Sequence, residues 1–221
     1  MSKLDLLLRG LLICSFLCFT SSLWATHNRA GEIEVERVAD CEASGQAALT
    51  LRITVTTYTR ASSTQADRDT VTVCFGYTQD GVEVCERVAR VNGPGNPPQG
   101  ELLENDTKVN FYITEHTFPS RGTYIISMTD PNRNAGILNV NAPNSVLVPF
   151  HIQTQYTFTN PQSSGCNTSP NLTVPPVDIG CVGQIFTHNP NAVDLEKDSL
   201  SYEFVTPMQS VDADVPNYEE V

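Results

Sequence analysis

The chain has 221 residues, and its 13 lysine and arginine residues against 25 aspartate and glutamate residues leave a net charge of −12. So acidic a surface repels phosphate backbones, and no basic stripe with interleaved aromatics occurs, which argues against nucleic acid as a partner. The first element is MSKLDLLLRGLLICSFLCFTSSLWA, where Lys3 and Arg9 precede the apolar run 11–19 and small polar residues follow, the three-part pattern of a secretory signal peptide. Arg9, Gly10 and the Thr20, Ser21, Ser22 cluster leave that run shorter than the ~20 apolar residues of a spanning helix, so no transmembrane segment is expected in the mature chain. Cleavage is expected after Ala25, with Ser22 as the other position. Ile13 and Leu17 are too bulky before Cys14 and Cys18 for lipid attachment. With residues 1–25 gone, 11 basic and 24 acidic residues leave −13.

Beyond the leader the pattern is that of strands. LTLRITVTTYT sets Leu49, Leu51, Ile53 and Val55 on one side and Thr50, Arg52, Thr54 and Thr56 on the other, a period of two rich in β-branched residues. The same alternation places Val71, Val73 and Phe75 together in TVTVCF, Val109, Phe111 and Ile113 in KVNFYI, and Tyr124, Ile126 and Met128 in TYIISM; a further apolar stretch covers 146–152. Turn formers separate these runs: Asp80 with Gly81, GPGNPPQG at 93–100, 119–122 and 131–134. Short strands at this spacing without a helical period predict an all-β, antiparallel, immunoglobulin-like β-sandwich over 26–158. From Asn160 the composition turns rich in Pro, Ser and Asn, predicting a junction over 159–182. Strand signals return at Ile185–Phe186 and in LSYEFV. The 39 residues of 183–221 are far fewer than the ~100 of a sandwich, so a second, incomplete β module is expected there.

Seven cysteines are present, and Cys14 and Cys18 leave with the leader. Exported chains permit disulfides, and five remaining cysteines leave one unpaired. A hairpin closed on the four residues 78–81 pairs Val71 with Val88 and Phe75 with Val84, and sets Cys74 opposite Cys85, within bridging distance. Cys166 and Cys181 flank the junction and form the second expected bridge, worth about 3 kcal/mol in the chain-entropy picture. Cys41 is then the free thiol.

Chemical signatures are sparse. His27, His116, His151 and His188 are scattered, with no HExxH helix and no CxxC pair, and no GxSxG elbow exists. Catalysis is therefore not expected. Asp67 and Asp69 form one acidic pair, around which an alternative reading can be built: the catalytic or accessory part of a secreted carbohydrate-active hydrolase, whose carboxylates need no local motif.

Three resemblances add to this. VTVCFGYTQDG and EHTFPSRGTYIISMTD resemble polycystic-kidney-disease-type (PKD) immunoglobulin-like domains, the second through His116, Thr117, Phe118, Gly122, Thr123 and Tyr124. Phe118 and Tyr124 would pack across the turn, with Gly122 giving it backbone freedom. NAVDLEKDSLSYEF resembles the cadherin-like Asp-x-Asp-Gly-Asp-x-Leu-x-Tyr motif, mapped onto Asp194, Glu196, Asp198, Leu200 and Tyr202, with Lys197 in the glycine position. That implies a calcium site at Asp194, Glu196 and Asp198, three of the six to eight oxygens calcium takes. More widely, THNRAGEIEVERV, TVTTYTRASSTQADRDTVTVCFG, TDPNRNAGI and HNPNAVDLEKDSLSY are similar to the N-terminal region of gliding-motility-associated, type IX-secreted bacterial surface proteins. The resemblance implies a secreted, cell-surface adhesion or structural module that binds protein or carbohydrate and adjoins further domains of the same protein.

Overall fold

The computed structural model describes residues 28–63, 67–77, 80–177 and 179–220. The expected signal peptide lies outside them. Twelve strands follow in chain order: β1 Asn28–Arg37, β2 Thr50–Arg60, β3 Thr70–Tyr77, β4 Glu83–Ala89, β5 Glu101–Leu102, β6 Thr107–Thr117, β7 Thr123–Asp130, β8 Phe150–Thr157, β9 Asn171–Leu172, β10 Ala192–Val193, β11 Met208–Ser210 and β12 Ala213–Asp214.

The first eight strands form two antiparallel four-stranded sheets, ordered β1-β2-β6-β5 and β4-β3-β7-β8. This is the order in which immunoglobulin-like sandwiches divide their strands. The inner faces carry the period-two residues of the sequence: Leu51, Ile53 and Val55 from β2, Val71, Val73 and Phe75 from β3, and Ile126 and Met128 from β7, all buried with Val35, Phe118 and Tyr156 in one cluster. Phe118 anchors an aromatic group at one end, 4.4 Å from Tyr124 and 5.4 Å from Phe158 between ring centroids. Gly122 sits in that turn without a left-handed backbone; its carbonyl accepts the Phe158 amide.

On β6 the face is the opposite of the expected one. Tyr112 and Asn110 point inward and are almost wholly buried, whereas Ile113 is exposed. The register explains this, since Tyr112 lies opposite Val55 and Asn110 opposite Thr57 on the inner face of β2. Val109 is buried on the outer face because β5 pairs beside it, Glu101 opposite Val109.

The β3–β4 hairpin pairs Val71 with Val88 and Cys74 with Cys85, as the sequence register requires, and these cysteines are bonded. Past Cys74 a bulge intervenes, and Tyr77 pairs with Glu83. Three steps on β3 match two on β4 there, and Gly76 takes up the extra residue at φ 95°, a conformation a side chain would strain.

The second bridge departs from expectation. Cys166 is bonded to Cys41, and Cys181 is the exposed free thiol. After β8 a single helical turn, Pro161–Ser164, is capped by the Asn160 side chain, which accepts the Gln162 amide. The chain then returns along β1: the Ser169 amide donates to the Val35 carbonyl at 3.0 Å, the Val35 amide donates to Ser169 Oγ at 2.6 Å, and Asn171 donates to Glu34. That path delivers Cys166 to the loop that follows β1.

The last forty residues also differ from the sequence reading. Ile185–Phe186 and LSYEFV are not strands; the pairings are β9 with β10 and β11 with β12. Residues 207–219 dock instead on the loop between β7 and β8, where Val215 and Tyr218 pack with Val140 and Val148. The Val140–Tyr218 bridge and the Glu219 amide on the Asn139 carbonyl hold that contact. Among the described residues no helix is long and apolar enough to cross a membrane.

Candidate functional site

The inner faces of β2 and β6 change character toward one end. Opposite pairs run from Val55 and Tyr112 to Thr57 and Asn110, then Thr59 and Lys108, so the apolar core gives way to a buried polar layer. Buried polar groups are costly unless paired, which makes this end the place to look for function. Residues 61–63 and 67–69 and the loops 90–106 and 131–149 gather there.

Arg90, with its side chain 1% exposed, is the centre of the layer. It holds both carboxylate oxygens of Asp67, Asp69 Oδ1 at 3.2 Å, Asn110 Oδ1 at 2.9 Å and the Pro98 carbonyl at 2.8 Å. Lys108 Nζ donates to Asp67 Oδ1 at 2.6 Å, and Asn110 Nδ2 donates to Thr57 and Thr59. A planar guanidinium with five donors suits such a hub, since it can serve carboxylates and carbonyls together. Burial raises the Asp67 carboxyl, but the hydrogen bonds and charges of Arg90 and Lys108 outweigh it and hold the group below the ordinary carboxylate range. Arg68, between the two aspartates, turns the other way: its Nε donates to the buried Asp130 at 2.8 Å, and its carbonyl accepts the Tyr112 hydroxyl. Burial pushes that phenol up to about 12, so it stays a donor at any physiological pH.

The 93–100 loop is pinned to the same layer. Gly93 and Gly100 have left-handed backbones, and a Cβ on Gly93 would collide with the Gly100 backbone while one on Gly100 would collide with Asn110. Asn92 ties the loop's root to β6, donating to the Val109 carbonyl and accepting the Phe111 amide at 2.8 Å. Between this loop and the described residues Ala61, Ser63 and Asp67 opens a cavity of about 560 Å³, lined further by Pro94, Gln99, Glu101, Leu102 and Lys108. Among the described residues, the Ser63 hydroxyl, the Gln99 side-chain carboxamide and the Glu101 carboxylate make no hydrogen bond, while the Gln99 backbone amide donates to the Pro94 carbonyl.

Of the residues singled out in the sequence, Asp67 and Asp69 do come together, on one arginine. Asp194, Glu196 and Asp198 are not among the clusters of three ligand atoms within reach of one ion: Asp194 Oδ1 accepts the Asp198 backbone amide at 2.8 Å and Glu196 Oε2 accepts the Thr168 hydroxyl at 2.8 Å. Lys197 has φ 66°, the left-handed conformation that the glycine of the cadherin-like motif would adopt without strain. The one group of three potential metal ligands among the described residues is Cys74, Glu83 and Cys85, and its two sulfurs are bonded to each other. Sequence reading missed Arg90, Lys108, Asn110 and Gln99. Arg90 carries no motif, and only the register of β3 and β4, which sets Ala89 opposite Thr70, brings it to Asp67 and Asp69. Comparison of the chain with protein-family models, with curated proteins and with solved structures finds no match.

Proposed function

We propose that this chain is an exported, non-catalytic module of a cell surface, which presents the loop end of its sandwich to a ligand and adjoins further β structure through its C-terminal region. The observation that supports this most is the tie of Asp67 to Arg90 and Lys108. Acid–base hydrolysis needs one carboxyl group kept protonated near neutral pH, and the two cations favour the ionised form. The same contacts brace two loops against the sheets, which a binding platform requires. The disulfides Cys41–Cys166 and Cys74–Cys85 suit an oxidising compartment and so accord with export.

The junction to further structure is supported by the run LSYEFV. Leu200, Tyr202 and Phe204 alternate as in a strand, yet among the described residues 199–206 make no backbone hydrogen bond, and Phe204 is fully exposed. An apolar segment of this kind gains its burial from a neighbouring sheet.

The test is the protein recovered from intact producing cells. Surface-accessible protein should begin at residue 26, or at 23 with the alternative cleavage, and unreduced peptide mapping should show both bridges. Intracellular protein retaining Met1, with its thiols reduced, would overturn the proposal.

A further inference from the structure

From the cavity that Ser63 and Asp67 form with the 93–102 loop we infer a binding site for an uncharged polyhydroxyl ligand, a saccharide of one or two rings. This deepens the reading of the loop end as a binding platform and rests on it. The volume of about 560 Å³ falls within the ~300–1,000 Å³ of ligand pockets.

The lining decides the class of ligand. Asp67 Oδ1 is taken by Arg90 and Lys108, while Oδ2 has only a 3.4 Å contact with Arg90 and can accept from a ligand hydroxyl. Lys108 uses one of its three donors on Asp67, and among the described residues the side chains of Gln99, Glu101 and Ser63 make no hydrogen bond. The wall thus offers acceptors at Asp67 and Glu101, a donor at Lys108, and groups that do both at Gln99 and Ser63. Each sugar hydroxyl is itself both donor and acceptor, so it matches such a wall. Leu102, largely exposed, and Pro94 offer apolar surface to a ring's C–H face.

Two competing classes fit less well. Asp67 and Glu101 outnumber Lys108, which disfavours phosphate or sulfate. A calcium ion would have to displace Arg90 and Lys108 from Asp67, leaving two buried cations without their partner. Asp67 and the backbone of the 93–100 loop are held in place by Arg90, Lys108, Asn110 and the pinched glycines, which lowers the ordering cost of binding at that part of the wall.

The experiment is saturation-transfer NMR on the mature chain with cellobiose, maltose, chitobiose and N-acetyllactosamine, each at about 10 mM, a concentration suited to millimolar affinity. At least one disaccharide should receive saturation, and the Gln99→Ala/Glu101→Ala double variant, altered only at exposed side chains, should lose at least about tenfold in affinity at an unchanged melting temperature. Sodium sulfate at the same concentration should not compete. No transfer to any of the four sugars, transfer undiminished in the double variant, or displacement by sulfate would each overturn the site. Export is read separately from the N-terminus and the bridges. Failed sugar binding by a protein recovered from the surface therefore removes this site and leaves the surface-module reading in place.

Discussion

The sandwich and the C-terminal region use the same residue types to opposite ends. In the sandwich, Leu51, Ile53, Val55, Val73 and Ile126 have no exposed surface, because two sheets face each other. In the region after Gly165, Ile185 and Phe204 are fully exposed and Ile179, Leu195 and Val205 largely so. The alternation of LSYEFV is as regular as that of LTLRITV, yet only the second is a strand. A period of two describes what a segment can bury, and burial itself needs a second surface. The C-terminal region is ordered where it finds one: along β1 at Ser169 and Asn171, and on the β7–β8 loop at Val215.

The bridge between the regions offers the most direct way to break this comparison. Replacing Cys41 and Cys166 by serine opens a loop spanning 125 residues, worth about 5 kcal/mol by chain entropy and a melting temperature lower by roughly 10–20 °C. The equivalent change at Cys74 and Cys85, which closes only 11 residues, should cost about 3 kcal/mol. Calorimetry of the two double variants gives the order directly, and equal losses would show that the long bridge does not restrain the unfolded chain.

Arg90→Ala comes next. It leaves Asp67 without its main partner and the Pro98 carbonyl and Asn110 without their donor, at a cost of about 3–5 kcal/mol in urea unfolding. A loss under about 1 kcal/mol would mean that water replaces the guanidinium with little penalty.

The polar layer also predicts an acid limb. The folded Asp67 pKa lies below its unfolded value of ~3.9, so its contribution is complete above that pH and is lost as pH falls through the folded value. Asp67→Asn should flatten the fall in melting temperature below about pH 4. An unchanged acid limb would remove Asp67 from the account.

Smaller effects belong to the C-terminal region. Calcium at about 1–5 mM should leave the melting temperature unchanged, because Asp194, Glu196 and Asp198 do not converge on a single point. A rise of several degrees, absent from Asp194→Asn, would show that the three carboxylates regroup around the ion. Phe204→Ser should change stability by less than about 0.5 kcal/mol in the isolated chain, in contrast to about 2–5 kcal/mol for Ile53→Ala in the sandwich. A large loss from Phe204→Ser would mean that the segment has a partner within the chain.

These residues also show how far sequence reading reaches. Cys74 with Cys85 was legible because a hairpin register is local: one turn and one alternation determine which residues face each other. Cys41 with Cys166 was not, because it depends on the path of the chain after β8, and no short-range signal marks the return along β1. The face of β6 was misassigned because Val109, Phe111 and Ile113 look like a core face by themselves. The inner side of β2 ends in Thr57 and Thr59, which lie opposite Asn110 and Lys108, turn that end of the core polar and draw those two residues inward. The candidate site was half visible: Asp67 and Asp69 stand out in QADRDT, but the arginine that holds them lies some twenty residues away and carries no motif.

By itself the sequence determined the all-β class, most strands of the sandwich though not β1 or β5, the first bridge and the acidic surface. Each follows from composition or from a period of two, and a chain carries these at short range. Tertiary structure alone decided which cysteine bridges to Cys166, which face of β6 enters the core, and that Arg90 locks Asp67 in its ionised form. Each of these depends on which distant segments share a boundary. Burial drives folding more than any other favourable effect, and it is a property of that boundary and not of either segment.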